Sequence, residues 1–273
     1  MDIKKILENS KEIKVENVLN KICVSRPYFN FNQIFVNGDY MIAPVIKEQP
    51  EGSEVVNIAS AEALRHIAIL GSCQYANTQS EKMYYLAQSA QGHMNYKEGN
   101  FDDLFVLTRL GFDSKRTMEQ VGGLYSLKNG LIHKTSVIYS KVKPKLFESI
   151  FEEHYKKYTK QEESPYKTLL DIEIKYQDSQ TINAIIPPFA LKKCSGHFDN
   201  YASIPVAYLA YNVVNLASRL TQGQIKMKSF TASFPNLGNP QKESTITITK
   251  KQNLINCTVS QLPDLIFELI FFI

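Results

Sequence analysis

Residues 58–79 read IASAEALRHIAILGSCQYANTQ. Ala61, Leu64, Ile67, Ala68, Gly71 and Tyr75 recur at helical spacing, which predicts a helix with one apolar face. Small residues dominate that face. Ala and Gly let a helix lie close against a sheet, so the expectation is one long helix with a sheet wrapped around it.

Working outward, residues 32–45 (NQIFVNGDYMIAPV) predict two short strands around the turn Asn37-Gly38-Asp39. An Asn-Gly pair between apolar runs is a strong local hairpin signal. Residues 1–30 predict a short helix and an irregular lead-in, and residues 47–54 a polar loop. After the helix, extended segments are expected at 82–93, 104–112, 116–126 and 131–142. Turns are expected at Glu98-Gly99-Asn100, Asp113-Ser114 and Lys128-Asn129-Gly130. Residues 143–167 are charged, with Leu146, Ile150, Phe151 and Tyr155 read as one face of an amphipathic helix that runs into a linker. A domain boundary is therefore placed near Ser164, which gives segments 1–164 and 165–273.

The order of elements then repeats. Strands are expected at 168–176 and 181–186, a long loop at 187–203, and a second small-residue helix at 204–221 (IPVAYLAYNVVNLASRLT). Pro205 falls in its first turn, where a missing N–H is harmless. Extended segments follow at 224–234, 243–250 and 254–270. Strands that continue after a single long helix, with no further helix between them, predict an α+β fold.

Composition narrows the class. Of 273 residues, 44% are hydrophobic and 21% charged, the balance of a soluble globular protein. The net charge of +4 is spread thinly, without the concentrated basic stripe of a nucleic-acid binder. A mild positive bias is compatible with an acidic partner. Cys23, Cys73, Cys194 and Cys257 lie far apart with no CxxC pair, so neither a metal site nor a cofactor is expected. The N-terminal MDIKKILENSKEIK has no apolar run long enough for a signal peptide, and the apolar stretch 262–273 is short and carries Asp264 and Glu268, so neither a signal peptide nor a membrane span is expected. Free thiols and the absence of a leader predict a cytoplasmic protein.

The loop and helix of the second half read Gly196-His197-Phe198-Asp199-Asn200-Tyr201-Ala202-Ser203-Ile204-Pro205-Val206. This resembles the active-site loop of the β-hydroxyacyl-[acyl carrier protein] dehydratases, which are hotdog proteins. There a Gly-His-Phe triplet precedes a turn, and a Pro eight residues after the His opens the central helix. His197 and Pro205 have that spacing. Asp199 and Ala202 stand where the family usually has Pro, and Val206 where it usually has Gly. The family's helix acid, fourteen residues after the His, is here Tyr211. In the first half, Glu62-Ala63-Leu64 resembles the family's Glu-Ala-Leu helix segment, and the loop before that helix has no His. The resemblance thus implies a tandem (double) hotdog, two antiparallel sheets each wrapped around a long helix, with one composite site made of His197 and Glu62.

The implied chemistry is dehydration of a 3-hydroxyacyl thioester, linked to acyl carrier protein or CoA, in fatty-acid or polyketide-like synthesis. His197 would take the α-proton, and Glu62, kept protonated, would donate to the leaving hydroxyl. Backbone N–H groups around Phe198 and at the start of the second helix would hold the enolate. Gly196, Phe198, Pro205, Val206, Tyr208, Tyr211, Arg65 and His66 are the expected substrate-binding set.

Plainer readings stand beside these. His197 can be a surface loop residue, and Glu62 in a first helical turn is favoured by the helix dipole alone. Tyr208 and Tyr211 fit helix packing. His66 is a rival acid–base group, and Cys194 is read as an inert thiol rather than a nucleophile. The alternatives for the chain are a hotdog thioesterase, whose helix carboxylate (Glu62) activates water, and a non-catalytic acyl-binding subunit. A homodimer or a complex with another biosynthetic enzyme is a possible assembly.

Overall fold

The structure is a computed structural model that describes residues 3–50, 52–56, 58–95 and 103–273. The turn expected at 98–100 lies outside the described residues. In chain order, α1 (Ile3–Glu8), β1 (Lys11–Ile13) and α2 (Glu16–Leu19) form the lead-in. A hairpin follows, β2 (Ile34–Asn37) and β3 (Tyr40–Pro44), turning at Gly38 with φ +55°. Next come α3 (Ser60–Asn77), β4 (Tyr84–Met94), β5 (Leu104–Asp113), β6 (Thr117–Ser126), β7 (Gly130–Val142) and the short α4 (Pro144–Ile150). The second hairpin is β8 (Glu173–Gln177) and β9 (Thr181–Ile186), and after it α5 spans Val206–Ala217. The chain ends in β10 (Ser229–Ser233), β11 (Ser244–Lys251), β12 (Leu254–Gln261) and β13 (Asp264–Phe272).

All of these strands belong to one thirteen-stranded antiparallel sheet. Its order is β1-β2-β3-β5-β6-β7-β4-β10-β13-β12-β11-β9-β8. Strands β2-β3-β5-β6-β7-β4 and β8-β9-β11-β12-β13-β10 therefore have the same internal order, a hairpin at one edge and the strand that follows the helix at the other. The expected pair of separate sheets is corrected here. Left alone, β4 and β10 would each present an edge of unpaired N–H and C=O groups. They pair with each other instead, from Ser229 opposite His93 to Ser233 opposite Ser89, and the two edges vanish.

Helices α3 and α5 lie against each other on the buried face of this sheet. Alternating burial along β11 and β12 gives that face its period of two. The small residues of α3 act as expected at Gly71, whose added Cβ would lie 2.2 Å from the Gln120 side chain on β6. Asn212 and Asn215 fasten α5 to loops from both halves. Asn212 Oδ1 accepts from Leu170 N at 2.7 Å, and Asn215 Oδ1 from Ser53 N at 2.8 Å.

Three expectations at the element level are corrected. The stretch 254–270 is two strands with a turn at Leu262-Pro263, where Leu262 is 85% exposed. The region 168–176 is strand only from Glu173. In α4 the buried residue is Phe147, stacked on Tyr84 with ring centroids 3.6 Å apart, whereas Leu146 and Ile150 are exposed. Seven helical residues are too few for a periodic stripe, so a single aromatic anchor sets its orientation.

Candidate active site

The loop between β9 and α5 holds a buried histidine in an unusual backbone. Gly196 has φ +85°, Phe198 +58° and Asp199 +45°. A Cβ on Gly196 would lie 2.4 Å from Ser25 O and 2.6 Å from Tyr28 N, so only glycine fits against the lead-in at this point. Non-glycine residues in the left-handed region each cost energy and persist where surroundings enforce them. Here the enforcing contacts are Ser25 N donating to Gly196 O at 2.8 Å and Ser25 Oγ donating to Asp199 Oδ1 at 3.0 Å. Lys160 closes the outer side by ion-pairing with Asp199.

His197 is 7% exposed. Its Nδ1 lies 3.2 Å from Ser203 O and 3.1 Å from Ser203 Oγ. A carbonyl can only accept, so Nδ1 carries the proton and Nε2 keeps its lone pair. The ring is wedged between Phe198, at 4.0 Å between centroids, and the edge of Tyr28 at 4.9 Å. Burial pushes the imidazole pKa down to about 4, against the opposing pull of the Ser203 carbonyl.

His197 lines a cavity of about 90 Å³ together with Tyr28, Arg65, Phe198, Val206 and Ala207. The remaining wall is largely apolar, from α3, β4, β7 and the segment after β10, with Ser72 and Asn236 among its few polar groups. No Asp or Glu is among these lining residues. A smaller apolar cavity of about 20 Å³ lies between α3, α5, β10 and β13, and shares Leu64 and Phe234 with the first. The N-terminus of α5 has no side-chain cap. Its first intrahelical bond runs from Leu209 N to Pro205 O, which leaves the Val206 and Ala207 N–H groups without helical acceptors beside the cavity.

Glu62 sits elsewhere. It is fully buried on α3 and does not line the cavity. Its Oε1 accepts from Glu48 N at 2.6 Å, and its Oε2 from Gln49 N at 3.2 Å. His66 Nε2 is 3.7 Å and Arg65 Nη2 3.8 Å from Oε1. Burial opposes the charge, but His66, the Arg65 guanidinium and the Glu48 N–H outweigh it and hold the carboxyl below its usual range. The expected protonated acid is corrected: donors converge on this carboxylate, and donors favour the ionised form.

The other expected residues divide. Arg65, Phe198 and Val206 reach the cavity with His197. Tyr208 and Tyr211 do not, because their hydroxyls are turned to backbone, donating to Thr168 O at 2.7 Å and Pro50 O at 2.9 Å. His66 is fully buried beside Phe31 and away from the cavity, and burial lowers its pKa. Pro205 and Gly196 shape the backbone without lining the space. Cys194 is buried and its thiol pKa is pushed up, so it is no nucleophile. Sequence reasoning missed Val24 and Tyr28, which the lead-in folds over the second-half loop to complete the wall. The dense aromatic run Arg26-Pro27-Tyr28-Phe29-Asn30-Phe31 was the available signal. Among the described residues, no group of three His, Cys, Asp or Glu side chains could hold a metal, and no helix is long and apolar enough to cross a membrane.

No protein-family model and no curated protein matches this sequence. Solved structures do match in shape. An acyl-ACP thioesterase from Bacteroides thetaiotaomicron superposes with a TM-score of 0.59 at 9% identity, over 86% of this chain and 97% of that one. The tesB protein of Mycobacterium avium subsp. paratuberculosis gives 0.56 at 7% identity, over 95% and 98%. A conserved protein of unknown function with hot dog fold from Alicyclobacillus acidocaldarius gives 0.50 at 10%, over 92% and 99%. At such identities the likeness speaks for the fold: this is a hotdog-type architecture.

Proposed function

We propose that the chain is a tandem hotdog, with units 1–164 and 165–273, that hydrolyses an acyl thioester of acyl carrier protein or CoA. The tandem reading is supported by the identical strand order of the two halves, the boundary near Ser164 falling between β7 and β8. The observation that carries the hydrolase reading is a cavity wall with one histidine base, helix N–H donors and no carboxyl group. Dehydration needs a proton donor for the departing hydroxyl. A thiolate is a far better leaving group than hydroxide, so hydrolysis proceeds with a base that returns its proton to sulfur, a water and a place for the oxyanion. Named thioesterases among the structurally similar proteins agree with this choice.

In the proposed reaction His197 Nε2 takes a proton from water as the water oxygen attacks the thioester carbon. Charge passes to the carbonyl oxygen, which the Val206 and Ala207 N–H groups would receive. The C–S bond then breaks, and the proton returns from His197 to the leaving sulfur, giving a carboxylic acid and a free thiol. Ser203 O, accepting from Nδ1–H, keeps the ring oriented and stabilises the imidazolium that forms in between. Phe198 and Val206 would flank the acyl head. Glu62 becomes a structural anion that fixes Arg65 and the 48–49 loop.

A 3-hydroxydecanoyl thioester separates the readings. Free thiol with intact hydroxyl supports the hydrolase. A new double bond supports the dehydratase and overturns our proposal, and unchanged substrate points to a non-catalytic acyl-binding subunit.

A further inference from the structure

Arg65 is 2% exposed, yet only part of its guanidinium is used. Nη2 is ion-paired with Glu48 and lies 3.8 Å from Glu62 Oε1. Among the described residues, Nε and Nη1 have no acceptor. Tyr28 and Tyr166 sit against the group, each with a ring centroid 5.6 Å from Cζ, and ring faces do not replace oxygen acceptors. An arginine stays charged, and a buried N–H left without an acceptor keeps its full desolvation cost, more so on a charged group. Arg65 lines the apolar-walled cavity together with Tyr28 and His197, so a ligand there that brought an oxygen anion up to these buried nitrogens would relieve this cost. Glu48 and Glu62 on the other side of the guanidinium disfavour a dianion such as phosphate. A single carboxylate on an aliphatic chain satisfies both the charge and the wall.

We propose that Arg65 is the receptor for the carboxylate of a free fatty acid, held with its chain along Leu64, Ala68 and Ile69. The identity of this ligand rests on the hydrolase reading, since the fatty acid is the product formed at His197. The site then retains its product, and hydrolysis is inhibited by it.

The test is calorimetric titration of the full chain with decanoate and with decanol, for the parent and for Arg65→Lys. Lysine keeps a cation opposite Glu48 but lacks the Nε and Nη1 donors. The parent should bind decanoate at least about tenfold more tightly than decanol. The lysine variant should bind decanol as the parent does and lose the preference. Equal affinities in the parent, no binding of either compound, or a preference that survives in a folded lysine variant overturns the inference. The parent comparison needs no variant, so it decides even if the substitution unfolds the chain. Thiol release from decanoyl-CoA, measured alongside, separates the two readings. Release without a carboxylate preference removes this inference and leaves the hydrolase. A preference without release does the reverse.

Discussion

At the scale of single residues, His197 lines the cavity with its imidazole pKa lowered by burial, whereas Glu62 lies outside that lining and its carboxyl is held below its usual range by surrounding donors. His197→Ala should lower thiol release by ~10²–10⁴-fold with the fold retained. Glu62→Gln should behave oppositely, costing roughly 1–3 kcal/mol in urea denaturation while the folded fraction keeps its activity within about tenfold. A crippled but fully stable Glu62→Gln enzyme would return the carboxylate to the chemistry. Because burial holds the His197 pKa near 4, the acid limb of kcat/KM should fall near pH 4 and not near 6.5. The loop that carries His197 into α5 was legible because Gly196, His197 and Pro205 are close in sequence, and local spacing survives folding. The surroundings of Glu62 were not legible, because the backbone N–H groups of Glu48 and Gln49 leave no trace in side-chain patterns.

At the scale of elements, both long helices were readable from small residues at helical spacing, and the hairpin at Gly38 from its Asn-Gly turn. The turn at Leu262-Pro263 was not, because the apolar run continues across it through exposed Leu262. Nor was the lead-in's contribution of Tyr28, which comes from a segment with no period at all. Close packing of α3 on β6 makes Gly71→Ala a test of that seat. The added methyl meets Gln120, so the substitution should destabilise by about 1–3 kcal/mol despite alanine's better helix propensity. Gln120→Ala in the same chain should recover most of that loss in equilibrium denaturation. Leu64 and Phe234 line both cavities. Phe234→Ala should therefore shift the preferred acyl thioester to longer chains, read as kcat/KM across a chain-length series. An unchanged profile would mean that acyl chains do not pass between α3 and α5.

At the scale of the whole molecule, the pairing of β4 with β10 makes one body of two similar halves, and the site draws on both. Neither half alone holds His197 and Arg65 on one cavity wall. The same burial sets a pH dependence of stability. His197 and His133 are depressed to about 4 and about 3, His133 by burial and then by nearby His93. A depressed base contributes stability that is present above its unfolded pKa near 6.5 and is lost as pH falls toward the folded value. For His197 the loss reaches about 2 kcal/mol by pH 5, and His197→Gln should remove that share from the urea midpoint. Glu54, raised to about 7 by burial despite its bond from Ser60 N, acts in the other direction. Its contribution is present below about 4.5 and is lost as pH rises through 7, so Glu54→Gln should flatten the alkaline side. The central claim, however, concerns chemistry at one imidazole. The most direct measurement is the steady-state rate of thiol release from decanoyl-CoA by the parent chain and by His197→Ala under identical conditions. The parent should release thiol and the variant should lose at least about 10²-fold of that rate, with unchanged circular dichroism. Equal rates in the two chains, or no thiol from the parent, would contradict that claim.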